Sequence, residues 1–277
     1  VRKYKLDSLK VLGTVGEPIN EDAWNWYFKE IGGERCPIVD TWWQTETGGI
    51  MISNLAGINK AKATFATLPL PGISACIVDE KGIELKNNNI EGKLCIKYPW
   101  PSMARTIYGD HQRFIDTYFS SFPGKYFSGD GCYKNEDGLF RITGRVDDVL
   151  IVSGHNLGTA EIESAIDEHE NVCESAIVGY PHQIKGNGVF AYIICHKKPE
   201  KESDINIEIN NLITQHVGPI AKVDKFLYVD GLPKTRSGKI MRRILRKIAS
   251  GEFNELGDTS TLLDPNVVES IIKESQK

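Results

Sequence analysis

Cys36-Pro-Ile-Val-Asp40 runs directly into Thr41-Trp-Trp-Gln-Thr-Glu-Thr-Gly-Gly49. The first five residues read as a buried strand. The next nine form a polar loop of two aromatics, three threonines, a carboxylate and paired glycines. Upstream, Leu9-Lys-Val-Leu-Gly-Thr-Val15 reads as another buried strand. Gly16-Glu-Pro-Ile-Asn20 then turns into a helix, with Asn20 as N-cap ahead of Glu21-Asp22 and with Trp24, Trp26, Tyr27 and Phe28 as its packing face. Strand, helix, strand and a polar loop at a strand's C-terminal end is the setting in which open α/β sheets bind ligands. In such a loop an aromatic stacks a base, threonines contact phosphate, and a glutamate such as Glu46 holds Mg²⁺. Adjacent tryptophans point in different directions, so Trp42 and Trp43 are not both core.

From about residue 68 the pattern changes to short strands and turns. Ile73–Leu85 reads as two strands around a Glu-Lys-Gly turn, Gly92–Lys97 as another, and Tyr126–Tyr133 and Leu139–Gly144 as a hairpin turning at Asn135–Gly138. This region predicts a small β-barrel. Asp130 stands between two glycines, either as a turn aspartate or as a bare carboxylate open to the two hydroxyls of a ribose. The tandem Asp147-Asp148 marks a polar junction, because composition shifts on either side of it. Beyond it, a helix over Ala160–Ile166 with Thr159 as N-cap, strands at Ser175–Tyr180 and Val189–His196, a helix from about Ile205 to Val217, and a strand at Phe226–Val229 predict a compact α+β domain. Lys197–Asp204 reads as a solvated charged loop. Near the C-terminus, Pro233-Lys-Thr-Arg-Ser-Gly-Lys239 is a short basic loop. It is either a solvated turn or the carrier of a reaching ammonium suited to phosphate and carboxylate chemistry. The helix expected after it has Ile240, Ile244 and Ile248 on one side. Arg242, Arg243, Arg246 and Lys247 make its basic face, fit for nucleic acid, an acidic domain surface or small-molecule phosphates.

Bulk composition narrows these choices. The 277 residues are 40% hydrophobic and 25% charged, with a formal net charge of −4, which disfavours wholesale binding to nucleic acid or an anionic membrane. No apolar run approaches a membrane span, and Val1-Arg-Lys-Tyr4 is no signal peptide. The six cysteines are scattered without a Cys-x-x-Cys pair, which reads as reduced thiols in a cytoplasmic protein.

Four stretches coincide in order: Gly16-Glu-Pro18, Asp40–Gly49, Tyr126-Phe-Ser-Gly-Asp-Gly131 through Gly144-Arg-Val-Asp-Asp148, and Pro233–Lys239. Together they resemble the acyl-adenylate-forming superfamily. Trp42-Trp43, Tyr98-Pro-Trp-Pro-Ser-Met-Ala-Arg-Thr106 and Arg242–Ala249 are similar to its acetyl-CoA synthetase branch. The resemblance implies an α/β fold: residues 1–146 as the C-terminal part of the large AMP-binding domain (1–67 an α/β segment, 68–146 the β-barrel), and 147–277 as a mobile α+β C-terminal domain. It implies an AMP-forming acetate–CoA ligase, in which acetate and ATP give acetyl-adenylate and pyrophosphate, and CoA then gives acetyl-CoA and AMP. A propionate or other short-chain acyl-CoA synthetase, and a non-catalytic partner- or nucleic-acid-binding module, are the alternatives.

By the same resemblance Gly16, Glu17 and Pro18 flank adenine. Asp40, Thr41, Trp42, Trp43, Gln44 and Thr45 line the nucleotide, Asp130 and Arg145 hold the ribose, and Glu46 is the Mg²⁺ ligand. Val15 and Trp43 wall an acyl pocket sized for about two carbons, since a rigid wall is needed where each methylene is worth only ~1–3 kcal/mol. Lys239 bridges acetate and α-phosphate. Asp147 is the hinge that exchanges Lys239 for Ser153 and Gly154, which form the CoA channel. Asp167, His169 and Val172 hold a further cation. Two positions depart from the pattern: Asn156 stands on the nucleotide side where arginine is usual, and Thr214 where a basic CoA contact occurs. The superfamily's Ser/Thr/Gly-rich phosphate loop is not found in these residues, so the resemblance implies a C-terminal fragment that makes no acetyl-adenylate alone. Small molecules are the implied partners, and Lys239 is a candidate for control by acetylation, which deletes its charge.

Overall fold

Leu12–Thr14 (β1) and Ile38–Trp42 (β2) pair in parallel, Leu12 opposite Ile38, and Ile52–Ser53 (β3) closes the other edge of β2 in antiparallel register. The fold comes from a computed structural model that describes residues 1, 3–153, 155–236, 238–254, 256–257 and 259–276, with only the backbone of Asn156. Between β1 and β2 runs α1 (Glu21–Trp26), continued by a π-helical turn at Tyr27–Ile31. Asn20 caps α1 as expected, its carboxamide oxygen accepting from the Ala23 amide at 2.7 Å. Trp24 is buried and stacks on Phe28, 5.6 Å between ring centres, whereas Trp26 is exposed. The expected four-residue packing face is therefore narrower, because at 100° per residue Trp26 falls about 200° from Trp24.

The next sheet is antiparallel in the order β4 (Ala75–Val78), β5 (Ile90–Ile96), β6 (Tyr126–Lys134) and β7 (Phe140–Arg145). The expected barrel is not closed: among the described residues β4 and β7 remain the two edges. The second strand expected near Ile83–Leu85 reduces to a single bridge between Val78 and Glu84. The hairpin forms as read, with Asn135 accepting from Leu139 and Gly138 in the left-handed region at φ +78°. An unexpected helix, α2 (His111–Tyr118), precedes β6 and is capped by Asp110, whose carboxylate accepts from the Arg113 amide at 3.0 Å.

The chain divides into two compact units, Val1–Asp147 and Asp148–Lys277. In the second, β8 (Leu150–Val152) and β9 (His155–Leu157) lead into α3 (Thr159–Asp167). Gly158, not Thr159, is the N-cap residue, and no side chain caps this helix. The long hairpin β10 (Val172–His182) and β11 (Gly186–Cys195) belongs to a five-stranded sheet in which β11 is central: it pairs with β10 at the edge and with β8 and β12 (Lys225–Tyr228), β12 lying parallel to it. α4 (Glu202–His216) starts earlier than expected and shortens the charged loop before it. The sheet has a core on each face. One face packs Ile162 and Ile166 of α3 with Ile205, Ile209 and Ile213 of α4. The other packs Tyr192 with Ile244, Leu245 and Ile248 of α5 (Arg242–Ala249) and Val268 and Ile271 of α6 (Asn266–Ser275). At ~25 cal/mol per Å² of apolar surface removed from water, these two layers hold the unit together.

Candidate functional site

Strand β6 alternates Tyr126, Ser128, Asp130 and Cys132 onto one buried face. Asp130 is 6% exposed, and a carboxylate so placed needs donors. Trp42 at the end of β2 gives its indole N–H to Oδ2 at 3.0 Å, and the Gln44 carboxamide gives a second bond to the same oxygen at 2.9 Å. Arg145, paired opposite on β7, donates from Nη1 to Oδ1 at 3.3 Å, to the Ser128 carbonyl at 3.0 Å, and from Nε to Asp147 at 3.3 Å. Gly129 is required here twice over. Its φ is +74°, and a Cβ would lie 2.6 Å from the Arg145 guanidinium. The knot extends outward through Tyr126, whose hydroxyl donates to Gln44 Oε1 at 2.8 Å, and through Tyr118 of α2, which stacks on Tyr126 at 5.1 Å and donates to Glu46 Oε1. Burial raises both phenols' pKa values, and the Glu46 carboxylate adds to it, so both stay protonated donors.

The other expected nucleotide residues divide by exposure. Gly16, Glu17, Pro18 and Thr45 lie on the surface, Gly16 at φ +100°. Trp42 is buried while Trp43 and Val15 are exposed, so the tryptophan pair does point two ways. Thr41 donates to the Thr14 carbonyl at 3.0 Å. Asp40 is internal: its carboxylate accepts from Trp24 Nε1 at 2.9 Å and from the Thr14 hydroxyl. Burial pushes it up to about 6, opposed by the indole bond.

In the second unit Lys239 is exposed on a turn whose base is closed by Met241 N–H donating to the Pro233 carbonyl at 2.7 Å. Within it Gly238 N–H donates to the Thr235 carbonyl at 2.9 Å, with Gly238 at φ +87°. Ser153 is exposed at φ +50°. Gly154 and the Asn156 side chain lie outside the described residues. The Thr214 hydroxyl donates to the Asn210 carbonyl one turn back at 2.7 Å. Of the expected cation residues, Asp167 accepts from the Ser175 hydroxyl at 2.7 Å, His169 Nε2 meets Glu208 at 2.9 Å, and Val172 is buried at the start of β10. Among the described residues no group of three or more His, Cys, Asp or Glu side chains is placed to hold a metal ion. The basic face of α5 meets carboxylates, as an acidic domain surface would require: Arg242 pairs with Glu163 at 2.7 Å and Arg246 with Asp148 at 2.7 Å.

Residues 1–108 match the AMP-binding enzyme family, and residues 161–239 match the AMP-binding enzyme C-terminal domain. The chain belongs to the AMP-binding enzyme family. The acetyl-coenzyme A synthetase of Halorhodospira halophila is 56% identical over 274 residues, covering 99% of the chain and 42% of that protein. The acetyl-coenzyme A synthetase of Alcanivorax borkumensis is 57% identical over 269 residues, 97% of the chain and 42% of that protein. This AMP-binding enzyme chain therefore spans less than half the length of the curated relatives it matches. In fold it is similar to the anthranilate CoA ligase AuaEII solved with anthranoyl-AMP, with a TM-score of 0.77 at 24% identity over 90% of the chain and 46% of that structure. It is also similar to an ATP-bound RpMatB-BxBclM chimera, with a TM-score of 0.75 at 24% identity over 86% and 45%.

The donor chemistry of the AMP-binding enzyme's knot fits a nucleotide and its Mg²⁺. Asp130 and Arg145 offer an acceptor and a cation side by side, and Glu46 offers one oriented carboxylate. A phosphate-bound Mg²⁺ ordinarily takes one or two carboxylates from protein. Sequence reading missed Tyr118, Tyr126, Ser128 and Glu163 as contributors. Counting back by twos from Asp130 would have found Ser128 and Tyr126. Asp110 as a cap, followed by Phe114 and Tyr118 four apart, would have found α2.

Proposed function

We propose that the chain forms part of an AMP-forming acetate–CoA ligase, which makes acetyl-adenylate and pyrophosphate from acetate and ATP and then transfers the acetyl group to CoA. The observation that carries this reading is the 56% identity to a protein of that name over 274 residues. Asp130 and Arg145 are assigned to the ribose, and Gly16–Pro18 with Thr41–Thr45 to the rest of the nucleotide. Asp40 acts from beneath, by fixing the strand that carries them. Glu46 would hold Mg²⁺, which when bound would neutralise phosphate charge. Trp43 and Val15 limit the acid to a short chain. Lys239 places its ammonium against the acetate oxygen and the α-phosphate, offsetting charge that builds up in the transition state. Asp147 is the pivot that exchanges Lys239 for the CoA-facing Ser153 and Gly154, with Asn156 and Thr214 as uncharged neighbours. Asp167, His169 and Val172 would hold a further cation, which when bound would offset the free carbonyls at the end of α3.

Among the described residues no helix is long and apolar enough to cross a membrane. A cytoplasmic, small-molecule enzyme is the reading we adopt, consistent with six free cysteines and with Arg242 and Arg246 already paired to carboxylates. Lys239, exposed and needed as a cation, is assigned as an acetylation target.

The test is acetate-dependent ATP–pyrophosphate exchange. The ligase that contains this chain is expected to exchange with acetate in preference to longer acids, and the isolated 277 residues to give no exchange. Absence of exchange with every short acid in the whole enzyme contradicts the assignment.

A further inference from the structure

The Lys239 turn is held at both ends by carboxylates of the second unit. On its N-terminal side Lys234 Nζ lies 2.7 Å from Glu174 Oε2 of β10, both side chains about 30% exposed. On its C-terminal side Arg242 forks onto Glu163 of α3, Nη2 to Oε2 at 2.7 Å and Nε to Oε1 at 3.2 Å, with both side chains under 15% exposed. The same Glu163 carboxylate accepts from the Ile177 amide of β10 at 2.8 Å, which fixes it to the sheet. A bidentate, desolvated Arg–carboxylate pair has defined geometry as well as energy. Two further bonds tie the base down, Leu263 N–H to the Lys234 carbonyl at 2.8 Å and Met241 N–H to the Pro233 carbonyl at 2.7 Å. One turn along α5, Arg246 reaches Asp148, the first residue of the unit, at 2.7 Å. Helix α5 thus links the start of the second unit to the root of the lysine turn through charged contacts on one helix.

We propose that Glu163 and Glu174 are positioning residues for Lys239: they clamp the two roots of its turn, so that the ammonium reaches from a fixed base while its tip stays exposed. The role assigned to Lys239 rests on the ligase reading above; the clamp itself does not. A side chain that must meet two reacting oxygens needs its backbone anchor held, since a displacement of about 1 Å costs up to ~100-fold in rate. Neither glutamate touches substrate in this account. Each acts through its basic partner.

Glu163→Gln keeps the shape and an acceptor for Ile177 but removes the charge, and Glu174→Gln does the same at the more exposed pair. In the isolated chain, both are expected to speed hydrogen exchange at the Gly238 and Met241 amides by about 10-fold, leaving the β10–β11 amides unchanged. In the whole ligase, both are expected to slow acetate-dependent ATP–pyrophosphate exchange by about 10-fold, with acetyl-CoA formation from supplied acetyl-adenylate within twofold of wild type. Unchanged loop exchange in both variants overturns the clamp, and so does an equal fall in the two half-reactions. If the wild-type ligase shows no exchange with any acid, the ligase reading fails, and the amide measurement still decides the clamp.

Discussion

Asp130 and Lys239 are both charged side chains assigned to the same chemistry, yet their surroundings are opposite. Asp130 is 6% exposed and draws donors from Trp42, Gln44 and Arg145. Lys239 stands exposed on a turn whose ion pairs lie at its roots, through Lys234 and Arg242. A group that holds a ligand throughout a reaction gains from being preorganised, because its donors need not reorient when charge develops. A group used in one step has to arrive and leave, and burying its ammonium would cost desolvation at each exchange. On the proposed assignments, the first unit would supply a fixed acceptor and the second a point charge on a clamped base.

Breaking the fixed side should give the larger structural effect. Asp130→Ala leaves the buried Trp42 indole without its acceptor and the Gln44 amide with the Ser128 carbonyl alone. At ~1–3 kcal/mol for an unsatisfied buried donor, with a weakened Gln44 bond added, the first unit should lose up to ~3 kcal/mol. Denaturant melts followed by tryptophan fluorescence check this. A loss below 1 kcal/mol would mean the knot is not what orders the β2–β6 junction. Lys239→Ala in the same assay should leave both units' stability unchanged.

A smaller effect comes from pH. Burial lifts Asp40 to about 6, above the ordinary aspartate value, because desolvation outweighs the Trp24 hydrogen bond. The folded protein then holds this proton more tightly than the unfolded chain does. The stability it contributes is complete below pH ~4 and is lost as pH rises through about 6. Two pK steps put that contribution on the order of 2–3 kcal/mol at most. Asp40→Asn should flatten the dependence of the first unit's melting midpoint between pH 4 and 7, and an unchanged slope in that variant contradicts the assignment.

Much of this was legible in the chain, for reasons that differ by element. The Asn20 cap, the Asn135–Gly138 turn and the Ile244–Ile248 stripe are set by neighbours within a few residues, so local chemistry predicts them. The resemblance led to Asp130 and Lys239. What remained hidden depends on distant partners. Glu163 reads as one more surface glutamate on α3 until Arg242, 79 residues later, is folded against it. Tyr118 sits in a helix rich in polar residues, and its stacking on Tyr126 and its bond to Glu46 show its orientation only once the chain is folded. The barrel was overread because alternating strands look the same in an open sheet and a closed one; closure depends on edge pairing, which periodicity does not encode. The basic face of α5 was open to nucleic acid, an acidic domain surface or phosphates, because pattern alone cannot show that Arg242 and Arg246 face carboxylates.

The division of labour between the two regions is tested most directly by Lys239→Ala in the ligase that contains this chain, with the two half-reactions measured separately. The account predicts that acetate-dependent ATP–pyrophosphate exchange is abolished while CoA still reacts with supplied acetyl-adenylate at close to the wild-type rate. Equal loss of both half-reactions, or retention of exchange, would contradict it.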